Sequence, residues 1–188
     1  MYLFGFGSLI NLKSAQKSFE RTLTQEDLIP VELIGYKKVW SSIESITFED
    51  KIDVNGIFLN LAKDESTSTL GVMIEITADE FENLKKREKN YSCITVDKSY
   101  IKGFEAKDDV TFFMTTREDK IAKKGDKDCF IPSKYIDLVK NALVNYDEDY
   151  QKRYEKEALQ DFPFPLKDGT YGFSDPIQNQ FAREGVKK

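Results

Sequence analysis

The sequence predicts an α+β fold. Segments with strand-like and helix-like apolar patterns follow one another without the regular alternation of a doubly wound sheet. The chain has 188 residues, of which 40% are hydrophobic and 13% aromatic, and this is typical of one globular domain with a substantial core. Neither an internal repeat nor an interdomain linker is recognisable.

Most of the elements predicted before residue 77 are strands. Apolar runs and alternating apolar positions indicate these strands, and a mostly polar periodic pattern indicates one helix among them. The two strands that flank a polar loop are expected to pair as a hairpin. In order, the elements are a strand at 2–4, a glycine turn at 5–8, a helix at 11–23, strands at 33–40 and 54–61, a loop at 63–69 and a strand at 70–76.

A capping box opens the next helix. Thr77 is followed three residues later by Glu80, which predicts a helix from Ala78 to about Lys89 with basic residues favourably placed near its C-terminus. The remaining predicted elements are strands at 91–96 and 110–116, a charged loop at 119–128, and a long helix that opens at 132–133 and carries Ile136, Val139, Leu143 and Tyr146 on one stripe.

The last part of the chain is polar and gives no clear element pattern after residue 162. We therefore expect a domain at residues 1–160 and a C-terminal extension at 161–188 that wraps the surface or is partly disordered.

The charge and the N-terminus argue against several kinds of partner. A net charge of −5 gives no field that would attract nucleic acid or an anionic membrane. No apolar stretch has the length of a membrane span, and the N-terminus lacks the pattern of a signal peptide, so the protein is expected to begin here. The two cysteines, Cys93 and Cys129, favour a reducing cytoplasmic location, with a single disulfide as the alternative.

The absence of histidine restricts the chemistry most. It excludes serine–histidine and cysteine–histidine hydrolases as they are usually built, and zinc sites with imidazole ligands. Two cysteines cannot provide a four-thiolate site. We predict no metal and no cofactor. Proton transfer would therefore depend on carboxylates, lysines or tyrosines.

The glycine turn at residues 4–10 is the first candidate site. Its Gly-x-Gly-Ser sequence lets a ligand approach the backbone amides closely. Dinucleotide binding would need a third glycine at Ile10, and phosphate binding would need a following lysine. The turn is therefore either a nest of amides suited to a carbonyl oxygen or carboxylate, or simply a tight connection between a strand and a helix.

Glu88 is the second candidate. Helical geometry places Phe81, Leu84 and Glu88 within one arc of about 60°, so the carboxylate points toward the core. Burial would raise its pKa toward the range of a general acid/base. The alternatives are that the helix frays before Glu88, or that Glu88 pairs with Arg87 or Lys85.

These segments, in order, resemble γ-glutamylcyclotransferase-like proteins, including the ChaC type, over roughly residues 2–155. Residues 4–10 are similar to the family's Tyr-Gly-Ser-Leu motif, although Phe6 stands in place of tyrosine. Residues 35–40 and 70–76 resemble two of its strands. The spacing from Leu84 through Glu88 to Tyr91 resembles the segment with the catalytic glutamate and a following tyrosine, and the region from Pro132 to Tyr150 resembles its C-terminal helices.

The resemblance implies a small mixed β-barrel with packed helices. It also implies cyclisation of a small γ-glutamyl compound to 5-oxoproline with release of an amine or amino acid, by a monomer or homodimer in which Glu88 is the acid/base. The alternative is a ligand-binding module of the same fold without turnover, favoured by the hydroxyl that Phe6 lacks. The implied substrate-binding residues are Phe6, Gly7, Ser8, Leu9, Tyr91 and Tyr150.

Overall fold

The computed structural model of the protein describes residues 1–186, so the last two residues of the predicted extension, 187 and 188, lie outside the described residues. Within this range the chain forms nine strands, five α-helices and four 3-10 turns. The strands are β1 (Tyr2–Gly5), β2 (Ile29–Phe48), β3 (Asp53–Glu75), β4 (Ser92–Val96), β5 (Ile101–Lys102), β6 (Val110–Met114), β7 (Cys129–Pro132), β8 (Leu166–Lys167) and β9 (Tyr171–Phe173). The helices are α1 (Leu12–Gln16), α2 (Ala78–Arg87), α3 (Ser133–Leu143), α4 (Glu148–Ala158) and α5 (Pro176–Glu184). The 3-10 turns are at Ser8–Ile10, Gln25–Asp27, Lys98–Tyr100 and Glu118–Lys120.

The long antiparallel pair β2 and β3, here called the central ribbon, forms the middle of one mixed sheet. The strand order of this sheet is β4-β6-β1-β3-β2-β5. β7 pairs with β3, and β9 pairs with β2, at the end of this ribbon where β2 turns into β3. Register shifts near Gly35 and Ser41 interrupt the ladder, and Gly35 has a positive φ of 80°. Such bulges bend strands and increase their twist, and the sheet curls into a half-barrel with the helices around it.

The predicted hairpin between residues 54–61 and 70–76 is wrong. Both segments belong to β3, and both pair with β2 rather than with each other. Between them the partner of β2 changes from Ser68 to Lys63, so that residues 64–67 bulge out of the ladder. The polar composition that predicts a loop therefore marks a large bulge within one strand.

The predicted helix at residues 11–23 is also wrong in extent, because α1 has only five residues. Asn11 caps it by accepting from the Ser14 amide at 3.1 Å. The Gln16 side chain then bonds to backbone groups of Phe19, Arg21 and Leu23. These bonds satisfy the backbone of a loop, so a mostly polar segment gains little from continuing as a helix.

The capping box that opens α2 is confirmed. Thr77 and Glu80 bond to each other's backbone amides in the reciprocal pattern. The helix ends at Arg87, and Glu88 follows as its C-cap residue.

The C-terminal third is more regular than the sequence indicates. The stripe of α3 is buried as predicted, but the helix ends before Tyr146, and α4 follows. After residue 162 the chain forms β8, β9 and α5 instead of remaining irregular. Asp175 caps α5 and Pro176 takes its first turn. Among the helices of residues 1–186, none has the length and apolar character needed to cross a membrane.

A buried ion pair joins α4 to the central ribbon. The Lys38 ammonium donates to Glu157 at 2.8 Å, to the Thr69 hydroxyl at 2.9 Å and to the Leu70 carbonyl, and lies 4.1 Å from the centre of the Tyr154 ring. Burial lowers the pKa of Lys38 to about 8, although Glu157 acts in the opposite direction. The Lys38 side chain is fully buried, so its positive charge depends on this carboxylate.

We expect Glu157→Gln to lower the free energy of unfolding by about 3 kcal/mol, because it leaves a buried ammonium without its counter-charge. Urea unfolding at neutral pH measures the change. Glu155→Gln on the exposed face of the same helix is the matched control and should change stability by about 0.5 kcal/mol or less. Equal effects of the two substitutions would contradict a stabilising role for the Lys38 pair.

Candidate active site

A cavity of about 610 Å³ lies where the glycine turn meets the end of α2, with α3, β9 and α5 forming further walls. Its size falls within the usual range for small-molecule sites. Apart from Tyr150, every predicted site residue is on its lining. These are Phe6, Gly7, Ser8, Leu9, Glu88 and Tyr91.

The glycine turn is fixed by two buried tyrosines from distant parts of the chain. The Tyr154 hydroxyl donates to the Phe6 carbonyl, and the Tyr146 hydroxyl donates to the Ile10 carbonyl at 2.5 Å. Within the turn, the Ile10 amide donates to the Gly7 carbonyl at 3.1 Å. These bonds hold the carbonyl oxygens in place, which determines where the amides of the turn face.

Gly7 is required by a close approach. A Cβ at this position would lie 2.5 Å from the Tyr135 hydroxyl oxygen. Tyr135 cannot easily move away, because its ring packs edge-on against Phe58 and Trp40, with centroid distances of 5.0 and 5.9 Å. The glycine therefore lets a phenolic hydroxyl reach the backbone of the turn.

Tyr135 brings to the cavity a hydroxyl that Phe6 lacks. Phe6 is buried and stacks on Phe4, while the Tyr135 hydroxyl lies beside the amides of Ser8 and Leu59. Burial raises the pKa of Tyr135, although these amides act in the opposite direction. The hydroxyl therefore stays protonated at neutral pH. In the sequence, Tyr135 is recognisable only as part of the C-terminal resemblance and not as a site residue.

Glu88 faces the cavity from the end of α2. Glu88 is the C-cap residue of α2, but its amide still donates to the Leu84 carbonyl at 2.8 Å, as in the helix. Its side chain therefore points where the helical period predicts. The side chain is only 17% exposed and pairs with the Arg87 guanidinium at 3.1 Å. Burial raises the pKa of Glu88, Arg87 opposes this effect, and the nearby carboxylate of Glu44 adds to it. Glu88 therefore faces the cavity and also pairs with Arg87, although the sequence presented these two arrangements as alternatives.

Tyr91 connects Glu88 to a second buried carboxylate. Its amide donates to the Glu88 carbonyl at 2.9 Å, and its hydroxyl lies beside Glu44. Glu44 is 5% exposed, and burial raises its pKa. Sequence reasoning missed Glu44, but the period of strand β2 points to it, because Glu44 alternates with the buried residues Ile46 and Phe48.

The sequence matches no family model and no curated protein. Solved structures are similar, however. A γ-glutamyl cyclotransferase has 12% identity and a TM-score of 0.56, with 96% of each chain covered. YkqA from Bacillus subtilis has 19% identity and a TM-score of 0.59, over 89% of this chain and 56% of that one. The human protein loc79017 has 12% identity and a TM-score of 0.55, over 97% and 98%.

The chain has a γ-glutamyl cyclotransferase-like fold. At these identities the similarity is one of fold. It confirms the predicted α+β class with a mixed, curled sheet and packed helices.

Tyr150 lies outside the cavity of this cyclotransferase-like fold. Its ring stacks between Tyr146 and Tyr154, at centroid distances of 4.5 and 6.0 Å, and its side chain is 6% exposed. The four-residue spacing of these tyrosines places them on one buried layer behind the glycine turn. The structure thus gives Tyr150 a packing position instead of a place on the cavity lining.

Helix α5 forms a wall that the sequence analysis did not anticipate. Gln178, Asn179 and Arg183 line the cavity from this helix. Just after the end of α5, the Val186 amide donates to the Lys17 carbonyl at 2.9 Å, and this bond links the helix to the loop after α1. The capping Asp175 followed by Pro176 is the sequence signal that could have predicted it. Within the described residues, no group of three or more Cys, Asp or Glu side chains could hold a metal ion.

We expect Gly7→Ala to destabilise the protein by about 1–3 kcal/mol, since the new methyl group overlaps the Tyr135 hydroxyl. Adding Tyr135→Phe should recover much of this loss, because it removes the atom that the methyl group meets. Urea unfolding of the two single variants and the double variant measures the coupling. If the two changes were additive, the close approach would not be the reason for glycine at this position.

Proposed function

We propose that the protein is a γ-glutamyl cyclotransferase that releases 5-oxoproline and an amine or amino acid from a small γ-glutamyl compound. One observation carries the proposal. In a cyclotransferase-like fold, a largely buried carboxylate with a raised pKa, Glu88, faces the same cavity as the glycine turn. A γ-glutamyl group carries an α-amine and a γ-carbonyl that can be held between these two features.

The proposed reaction needs one proton carrier. Glu88 takes a proton from the α-ammonium group, and the freed amine attacks the γ-carbonyl carbon. The carbonyl oxygen becomes an oxyanion, and Glu88 then returns the proton to the leaving nitrogen as the carbon–nitrogen bond breaks. The ring nitrogen loses its second proton to the released amine, which leaves as an ammonium group, and the lactam is neutral. A raised pKa suits a carboxylate that both accepts and gives a proton near neutral pH. Because the reacting groups are tethered, positioning contributes much of the rate.

The glycine turn and Tyr135 are suited to hold the carbonyl oxygen. Backbone amides and a protonated phenol are donors that favour an oxyanion over a neutral carbonyl. The hydroxyl of Tyr135 approaches Gly7 itself, so a phenolic hydroxyl lies at the turn although Phe6 lacks one, and this supports turnover over binding alone.

The charge of the cavity favours an anionic substrate. Two carboxylate side chains, Glu88 and Asp137, are on the lining together with five cationic ones. Such an excess attracts compounds with additional carboxylates, so γ-glutamyl amino acids and peptides such as glutathione fit better than γ-glutamyl derivatives of simple amines. The five cationic residues are Lys13, Lys17, Arg87, Lys134 and Arg183.

The free thiols of Cys93 and Cys129 agree with the proposed cytoplasmic location.

Incubation with glutathione and a panel of γ-glutamyl amino acids should produce 5-oxoproline. We expect Glu88→Gln to lower kcat by about 10²–10⁴-fold, because the amide cannot carry the proton. Glu82→Gln, on the exposed side of the same helix, is the control and should keep the native rate. If the folded protein turns over none of these compounds but is stabilised by them in thermal unfolding, the binding module is the correct reading.

The pH profile of kcat/KM tests the electrostatics of the site. Glu88 must be ionised to accept a proton, and its raised pKa places the acidic limb above the ordinary glutamate value of about 4.3. The negative charge of Glu44 contributes to this shift. Glu44→Gln removes that charge, so the acidic limb should move to lower pH. If the acidic limb of the Glu44→Gln profile stays at the same pH or moves to higher pH, the coupling between these carboxylates is contradicted.

A further inference from the structure

Gln178 on α5 is a buried polar residue on the cavity lining. Its side chain is 8% exposed and lies on the same lining as Glu88. Among the residues that the structure describes, its amide oxygen has no hydrogen-bond partner. A buried acceptor without a donor costs about 1–3 kcal/mol, and a donor supplied by a ligand in the cavity would remove this cost.

The carboxylate of Glu44 determines which end of this amide faces the cavity. The side chains of Gln178 and Tyr91 lie beside the Glu44 carboxylate and favour its charged form, and the Asn90 amide nitrogen lies 3.4 Å from its Oε2. A carboxylate needs donors, so the NH₂ group of Gln178 must point toward it. Gln178 contributes to the cavity lining and Glu44 does not, so this side chain connects the carboxylate to the cavity.

The surroundings select a cationic donor. Glu44 is close enough to Glu88 to disfavour its negative charge, and both carboxylates flank Tyr91. A positive group bound here would be attracted by both carboxylates and would meet a free acceptor. In a γ-glutamyl compound the group with this chemistry is the α-ammonium.

We infer that the amide oxygen of Gln178 accepts a hydrogen bond from the α-ammonium group of the γ-glutamyl substrate, and that Glu44 is the positioning residue that fixes this amide. The inference rests on the proposed function. After Glu88 has taken one proton, the amine keeps two N–H groups and gains a lone pair. A hydrogen bond from one N–H to Gln178 limits the rotation of the amine and directs the lone pair toward the γ-carbonyl. The C-terminal helix thereby provides selectivity for substrates with a free α-amine.

The test compares γ-glutamylglycine with glutarylglycine, which has the same carboxylates but no α-amine. Binding is measured by calorimetry in a Glu88→Gln background, where turnover does not interfere. We expect this background to prefer γ-glutamylglycine, and Gln178→Met to reduce the preference by about 10–100-fold, as for a hydrogen bond to a charged group. Gln180→Met, on the exposed side of α5, is the matched control and should keep the full preference.

A second variant covers the case in which Gln178→Met does not fold, as judged by circular dichroism. Glu44→Gln offers both a donor and an acceptor, so the Gln178 amide can reverse, and the preference should again fall. With Glu88 intact, Gln178→Met should raise KM for γ-glutamylglycine more than it lowers kcat, whereas a merely structural role would not change the ratio of the two ligands.

The outcomes separate the two proposals. If the native protein forms 5-oxoproline but folded Gln178→Met, or Glu44→Gln in its place, keeps the native preference, the role of Gln178 is overturned and the proposed function stands. If the native protein forms no 5-oxoproline and the two ligands bind alike, both proposals fail.

Discussion

The site depends on how the carbonyl oxygens of the glycine turn are satisfied. Two of them lie in the buried interior and accept from tyrosine hydroxyls, that of Phe6 from Tyr154 and that of Ile10 from Tyr146. A buried carbonyl without such a donor would lower the stability of the fold. The turn therefore keeps its shape only while α4 and the segment before it are packed against it. The helices in turn are held by burial of the α3 stripe and by the ion pair of Lys38 with Glu157.

Two buried charged groups, the ammonium of Lys38 and the carboxylate of Glu88, differ in how far the protein itself satisfies them. The ammonium of Lys38 is surrounded by a carboxylate, a hydroxyl and a carbonyl, so its contacts are complete within the protein. The carboxylate of Glu88 has Arg87 on one side and the cavity on the other. The first arrangement joins two elements of the fold. The second leaves a carboxylate with a raised pKa in contact with whatever enters the cavity.

Sequence signals were reliable where they depend on neighbouring residues. The capping box at Thr77 starts α2 where predicted, and its helical period turns Glu88 inward. The signals failed where pairing partners lie far apart. Nothing local indicates that residues 54–61 and 70–76 share one strand, because only the long partner β2 keeps both in a single ladder. The position of Tyr150 off the cavity lining was not predictable for a related reason, since a tyrosine at helical spacing can pack against its neighbours or line a cavity.

The sequence by itself determined the absence of histidine chemistry, the presence of a glycine turn and the inward phase of Glu88, because composition and the backbone period do not depend on distant contacts. Only the tertiary structure decided which groups meet. It brought Glu44 from β2, Tyr135 from α3 and Gln178 from α5 to the same turn and helix end. Their positions follow from sheet curvature and helix docking, which are set by burial of the whole core, and no short segment contains that information.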